Sequence, residues 1–391
     1  RAEGRGVLRP LGVFAASAAA PVLIAFLLLR AAMPAGRAVE GVVGAWPFIL
    51  GGDAAALTFY LRMFGGVDPA ASLEQMLIWT GWWAAFLAPL FLLALILRRP
   101  GRRRTAITLA CLIPPIVVSE VEVRWFEAAR PLPIVMLASL AICFSALLRQ
   151  ARTGRIEPRR ILQLTMFVFA TVLLGKILLN VNFYLYGFAL AMPAALLLAV
   201  SLLGWIPAFI ERKGGHGPLF RIAALAMLMV AATAHLGREK FTINRKRFAV
   251  AGGANLIYAD GRGPVVQAAL GEIARRTPPG ATLAVFPEGV MLNFLARRRN
   301  PTPYTNFMPP ELAVYGEERI LASLRAAPPD FAVIAHKDTS EYGARFFGRD
   351  YGRRLYAWIR KNYRHEALSG APPLRDERFG IQLLRRREGV R

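Results

Sequence analysis

Cysteine, histidine and acidic side chains are all scarce in this chain, and each scarcity excludes something. Among 391 residues there are 2 Cys and 4 His. Cys111 and Cys143 lie inside apolar segments with no CxxC spacing, so neither a disulfide framework nor a zinc site is indicated, and both read as small buried hydrophobes. No Walker loop, zincin motif or paired-cysteine motif occurs. His336-Lys337-Asp338 follows a strand-like segment, but a lone His without a Gly-x-Ser-x-Gly elbow is weak ground for hydrolysis. Nothing resembles a signal peptide, and the first residue is Arg1, so the chain reads as a fragment without its N-terminal part. Asp and Glu number 25 against 49 Lys and Arg, a net charge of +24. The Arg residues fall mostly in short loops between apolar runs and in the C-terminal third, which points to membrane topology and anionic lipid and not to nucleic acid.

What is abundant is apolar surface. At 55% hydrophobic and 19% charged, with a mean hydropathy of +0.40, the chain is too apolar for an ordinary soluble protein. Crossing about 30 Å of hydrocarbon takes roughly 20 residues. Segments near 11–32, 76–97, 131–148, 161–179, 187–210 and 220–236 meet that length or nearly so. A seventh, near 105–123, carries Pro114-Pro115 and must either run on toward Trp125 or break beside a protein-lined cavity.

Connecting segments alternate in charge. Arg1, Arg5 and Arg9, then Arg98 to Arg104, then Arg149 to Arg160, then Arg212, Lys213 and Arg221 mark one side, cytoplasmic by the positive-inside rule. Residues 33–75, 120–130 and 180–186 are poor in net positive charge and rich in aromatics, as an outer belt requires. With about seven spans, residues 237–391 are then extracytoplasmic, since long domains translocate regardless of charge. The expected fold is an α-helical polytopic membrane domain over 1–236 followed by an extracytoplasmic α/β domain over 237–391. In that domain, strand-like Arg247 to Ala251, Ala281 to Phe286, Phe331 to Ala335 and Phe379 to Leu384 alternate with helix-like Val265 to Arg276, Pro310 to Ala326 and Tyr351 to Tyr363. That order predicts a small, mostly parallel sheet.

Candidate site residues fall in two places. Lys176 sits in the fifth apolar run, where an ionisable group either faces a site or snorkels to headgroups. Asn180, Asn182 and Tyr186 follow it at the outer mouth, a composition suited to sugar hydroxyls and also to the interfacial belt. In the outer domain, Phe286-Pro287-Glu288-Gly289 closes a strand and opens a helix running to Arg297-Arg298-Arg299, and strand ends of this kind gather ligands. The three guanidinium groups suit a phosphate or diphosphate headgroup, or simply a lipid-facing basic patch. Asp53 reads as a helix cap, Asp68 as a turn residue, and Glu120, Glu122, Arg124 and Glu127 as an ion-paired loop.

These residues carry a family resemblance. Lys176-Ile-Leu-Leu-Asn180, Tyr186-Gly187-Phe188 through Met192-Pro193, Phe286-Pro287-Glu288-Gly289 with Leu292-Asn293-Phe294 and Arg297, Pro329-Asp330, Glu341-Tyr342-Gly343 and Phe347-Gly348-Arg349-Asp350-Tyr351-Gly352 together resemble the C-terminal half of bacterial integral-membrane glycosyltransferases of the GT-C superfamily, of the dolichyl-phosphate-mannose mannosyltransferase-like kind. The resemblance implies inverting transfer of a sugar from a polyprenyl-phosphate donor to a hydroxyl of a lipid, glycan or protein acceptor, at the outer face of the bacterial inner membrane, with Lys176 and Arg297 to Arg299 stabilising the departing phosphate. It places the catalytic acidic residue in a first outer loop upstream of Arg1, with about six further spans to reach the family's eleven to thirteen. A divalent cation is compatible with that chemistry, although no residue spacing assigns a metal ligand. Two other expectations fit the topology: a transporter or flippase for a lipid-linked substrate, which would carry internal repeats and ionisable groups at mid-membrane, and a non-catalytic membrane-anchored protein of envelope assembly.

Overall fold

A computed structural model describes residues 3–44, 56–98, 101–153, 157–184 and 186–388. Asp53 and Trp46 to Phe48 lie outside the described residues, as do the side chains of Glu120, Glu122 and Tyr186. The chain forms two compact units, one of Phe59–Pro264 and one of Val265–Arg391 grouped with Arg1–Thr58.

The first two helices are α1, Glu3–Ala32, and α2, Ala35–Val43. They are followed by α3, Thr58–Phe64, and α4, Pro69–Ile96. Helix α4 starts where it does because the Asp68 carboxylate accepts the Ala71 N–H at 2.9 Å and Pro69 supplies a first-turn φ. Next come α5, Arg102–Glu122, α6, Leu132–Arg152, and α7, Pro158–Leu174. Helix α8, Tyr186–Val200, runs through a π-turn at Ser201–Trp205 into α9, Ile206–Arg212, and α10 covers Gly217–Asn244.

Among the described residues, six stretches are long and apolar enough to cross a membrane: Gly12–Ala32, Thr58–Ile96, Leu132–Arg152, Pro158–Ile177, Gly187–Arg212 and Gly217–Asn244. This is a membrane protein by length and composition. Their outer faces carry exposed apolar side chains such as Leu28, Ile96, Ile142 and Val172, which water would penalise and hydrocarbon does not. The expected seventh span is one continuous helix, α5, unbroken through Pro114-Pro115, but it is not among the six. Arg102, Arg103 and Arg104 open it, and they lower its apolar content.

Inside the helical unit, Trp125 is the hub of one core. It meets Trp79 and Trp83 edge-on at 6.1 and 5.7 Å, with Ile116, Phe220, Ala223 and Met227 packed around them. Trp83 donates to the Ala128 carbonyl and Trp125 to the Ser119 hydroxyl, so both indole N–H groups are satisfied. A second core joins Leu132, Met136, Phe167, Leu174, Ala191 and Ala194. On the loop between α5 and α6, Glu127 pairs with Arg130 at 2.5 Å.

A small hairpin, β1 Phe248–Val250 with β2 Ile257–Ala259, belongs to the helical unit by its contacts. Beyond it, α11 covers Gly263–Arg276, β3 Leu283–Phe286, α12 Val290–Ala296 and α13 Pro309–Tyr315. The remainder is α14 Glu317–Ala326, β4 Phe331–Ala335, α15 Arg353–Asn362, β5 Tyr363–Gly370 and β6 Gly380–Arg386. The expected helix from Pro310 to Ala326 is divided at Gly316, whose φ of 76° few other residues adopt.

The sheet is mixed, with order β3-β4-β6-β5, which corrects the expectation of a mostly parallel one. Only β3 and β4 run parallel; β4 with β6 and β5 with β6 are antiparallel. The physical reason is that β5 and β6 follow each other through a short connection, which permits only a hairpin. The first expected strand, Arg247 to Ala251, contributes to the separate hairpin instead. Every residue of β3 and β4 is buried, as strands covered on both faces require. Phe286, Phe307, Ile320, Leu324, Phe347, Leu355 and Ile359 complete the core.

Candidate functional site

The parallel pair β3 and β4 ends at Phe286 and Ala335, with Phe286 in register with Ile334. Here the chain leaves the sheet twice, as Pro287-Glu288-Gly289 and as His336-Lys337-Asp338. Gly289 permits the abrupt passage from strand into α12: its φ is 151°, and an added Cβ would lie 2.6 Å from Val285 Cγ1. The Lys337 ammonium reaches Glu288 Oε2 at 3.3 Å and Glu341 Oε1 at 3.6 Å, tying the two strand-end loops together. The Phe307 N–H donates to the Pro287 carbonyl at 2.8 Å, which brings Asn306 to the same edge.

Asn306 donates from Nδ2 to Glu311 Oε1 at 2.9 Å. Four atoms are buried without a hydrogen-bond partner among the described residues: Asn306 Oδ1, Glu311 Oε2 and the Tyr351 hydroxyl near this edge, and Arg385 Nε on β6. A buried polar atom left unpaired costs about 1 to 3 kcal/mol, a cost that a bound water or a ligand group at this edge would offset. Burial pushes the Glu311 carboxyl above its ordinary range, against the backbone N–H groups of Glu311 and Met308 and the Asn306 amide, and the negative charge of Glu288 adds to the shift. Burial likewise lifts the Tyr351 phenol, with Thr339 opposing the shift and Glu288, Glu311 and Asp350 adding to it. Glu288 acts on Glu311, and both act on Tyr351, so one amide, one raised carboxyl, one phenol and the Glu288–Lys337–Glu341 bridge lie together as a polar cluster with both donors and acceptors.

The neighbouring groups are committed elsewhere. His336 Nδ1 accepts the Leu374 N–H at 3.2 Å and its ring packs against Phe346 and Phe379; burial lowers its pKa, so it serves the fold as a neutral ring. Burial acts to raise Asp338, but bonds from Ser340 and Arg345 outweigh it and hold that carboxyl at about 2.

Of the residues singled out from sequence, Glu288 belongs to this cluster. The three arginines do not converge. Arg297 caps α12 in the left-handed region at φ 53° and stacks 4.3 Å over the Phe294 ring. Arg298 turns inward, with Nε and Nη2 donating to the Thr277 hydroxyl and carbonyl, both at 2.8 Å. Arg299 accepts the Leu283 N–H through its carbonyl at 2.9 Å and leaves its side chain exposed. A shallow hollow of about 520 Å³ lies between them, bordered by Val290, Asn293, Phe294 and Asn300.

In the helical unit, Lys176 is exposed on the turn Gly175–Ile177 that ends α7. Asn180 Nδ2 donates to the Arg62 carbonyl at 2.9 Å, and the Leu179 N–H donates to that of Phe64 at 3.1 Å. Buried Asn182 donates to the Asn180 carbonyl and accepts the Tyr184 N–H. Asn180 thus fastens this turn to the end of α3, Asn182 braces the turn itself, and Tyr186 opens α8. No sequence spacing joins Asn306, Glu311, Lys337 and Tyr351 into a shared site, because three separate segments, one of them the start of α13, deliver them. Among the described residues no group of three or more His, Cys, Asp or Glu gathers as a metal site would. No family model, curated protein or solved structure matches this chain.

Proposed function

We propose that this chain belongs to a membrane glycosyltransferase of the GT-C kind, which moves a sugar from a polyprenyl-phosphate donor to an acceptor hydroxyl at the extracytoplasmic face of the bacterial inner membrane, and that the polar cluster at the ends of β3 and β4 opens as a crevice that holds a hydroxyl-rich part of a substrate. The observation that carries the binding role is the set of buried, unpartnered atoms on Asn306, Glu311 and Tyr351. Sugar hydroxyls both donate and accept, so one ring can satisfy an amide oxygen, a carboxyl oxygen and a phenol at once.

The topology in this proposal takes α5 as a seventh span. At about 1.5 Å per residue its length reaches roughly 30 Å, and Ile116 near its middle shares a core with Trp79 and Trp83 of α4 and Phe220 and Met227 of α10. A helix packed between two spans lies at their depth in the bilayer. The basic run before α5 then stays in the cytoplasm and the sheet domain lies outside. A transporter fits less well: among the described residues, no charged side chain of the helical unit is buried, whereas coupled transport places ionisable groups at mid-membrane.

The test is transfer from a labelled polyprenyl-phosphate sugar by the full-length protein in membranes, together with a reporter fused at the carboxyl terminus. Loss of transfer in Asn306→Ala and Tyr351→Phe with normal membrane levels is the expected result. Unchanged transfer in both variants removes the crevice from the reaction, and a cytoplasmic reporter signal removes the compartment.

A further inference from the structure

We infer that α12 is a bilayer-docking tip: the seven-residue helix after β3 inserts its apolar face into the interface of a membrane containing anionic lipid, and so holds the crevice mouth against the lipid surface. In Val265–Arg391, the large apolar side chains exposed among the described residues are Val290, Met291, Phe294, Tyr315 and Leu368. Three of these five sit on α12, at 54%, 40% and 56% exposure. Positions 290, 291 and 294 share one face of a helix. That face is rigidly presented: Leu292 on the opposite side is buried, and Asn293 Nδ2 donates to the carbonyls of Leu283 at 2.7 Å and Arg298 at 2.9 Å.

The charge around the tip selects its occupant. Arg297 stacks over Phe294, and Arg299 is exposed two residues on. An aromatic and two aliphatic side chains fringed by guanidinium groups match the boundary between acyl chains and acidic headgroups. The bilayer is also the surface the chain's own apolar helices bring with them. Docking deepens the transferase proposal, because a lipid-linked sugar would arrive at a crevice already facing its membrane. It requires only that the chain resides in a bilayer, so it stands or falls separately from transfer activity.

The experiment uses the full chain in vesicles of phosphatidylcholine with and without phosphatidylglycerol. Both native cysteines are replaced, and a nitroxide is placed by Phe294→Cys or, as control, by Leu368→Cys on β5. Collisions with lipid-soluble oxygen and with a water-soluble nickel chelate are then compared. The expected result is an oxygen-to-nickel ratio several-fold higher at 294 than at 368, rising with phosphatidylglycerol. Arg297→Gln and Arg299→Gln should each reduce the docked fraction relative to the undocked about fivefold, equivalent to about 1 kcal/mol per charge near an anionic surface. Equal ratios at the two positions overturn the inference. So does a label at 294 shielded from both reagents, which would place a second copy or another protein on this face. Both labelled positions are exposed, so neither substitution disturbs the core.

Discussion

Glu311→Gln separates a crevice kept for a ligand from one that serves the fold. In the folded protein, Glu311 Oε1 accepts from Asn306 while Oε2 is buried without a partner, and burial raises the carboxyl above its ordinary 4.5. A group whose folded pKa is raised contributes stability that is fully present below the unfolded value and is lost as pH rises through the folded value. Wild type therefore loses stability upward from about pH 4.5, and the glutamine variant, with nothing to ionise, does not. The unpaired oxygen sets the scale at about 1 kcal/mol, the low end of the usual range, because the side chain keeps part of its surface in water. For a domain of this size that is a rise of about 2 to 6 °C in the unfolding midpoint. The assay is thermal unfolding of the full chain in detergent near pH 8 and near pH 4, followed by transfer activity. The variant should be the more stable at the higher pH, indistinguishable at the lower, and at least tenfold less active, the pattern of a site held at the expense of stability. If Glu311→Gln is less stable than wild type at both pH values, the carboxylate is a structural element and the crevice has no claim to a ligand.

Other perturbations probe the frame around the crevice. Asp330→Ala removes bonds from the Thr282 N–H and hydroxyl at 3.0 and 2.8 Å and the Arg386 ion pair at 3.1 Å, which together hold the starts of β3 and β4. With Asp330 partly exposed, the expected loss is about 1 to 2 kcal/mol, read as faster proteolysis of the sheet domain. Asp68→Ala should cost about 1 kcal/mol of stability as a lost helix cap and leave transfer within about twofold; a loss of activity without a loss of stability would contradict its role as a cap. Asp338, held at about 2, has a depressed pKa, so its contribution is present above its ordinary 3.8 and is lost as pH falls toward 2. Asp338→Asn should flatten the acid limb of an unfolding curve followed by intrinsic fluorescence, and an unaltered limb would refute the assignment.

The membrane half was legible because its signals are local. Twenty apolar residues and a basic fringe are written consecutively, and six of the expected spans have counterparts. The sheet was legible in part. Strands β3 and β4 read as short apolar runs because both of their faces are buried. Strand β5 did not, because Arg364, His365 and Glu366 occupy its first half and the register shifts between His365 and Ala367, which erases the alternation that identifies a strand. Missing β5 made β6 look like one more parallel step.

The same difference between local and non-local information governs the site. Glu288 and Lys337 were each visible as followers of a strand, whereas their pairing and their companions at 306, 311 and 351 are gathered only once the two parallel strands place their ends side by side. The Arg297-Arg298-Arg299 run shows the opposite failure. Consecutive charges in sequence read as one cationic patch, but the left-handed residue at Arg297 reverses the chain direction, so one guanidinium lies over Phe294, the next is spent inside on Thr277, and the third faces solvent. A run of like residues therefore overstates a site when a turn divides it. A polar group set deep in a fold without a partner understates nothing: the chain bears the cost of each such atom whether or not the ligand is present, and the three in this crevice are where a search for the substrate should begin.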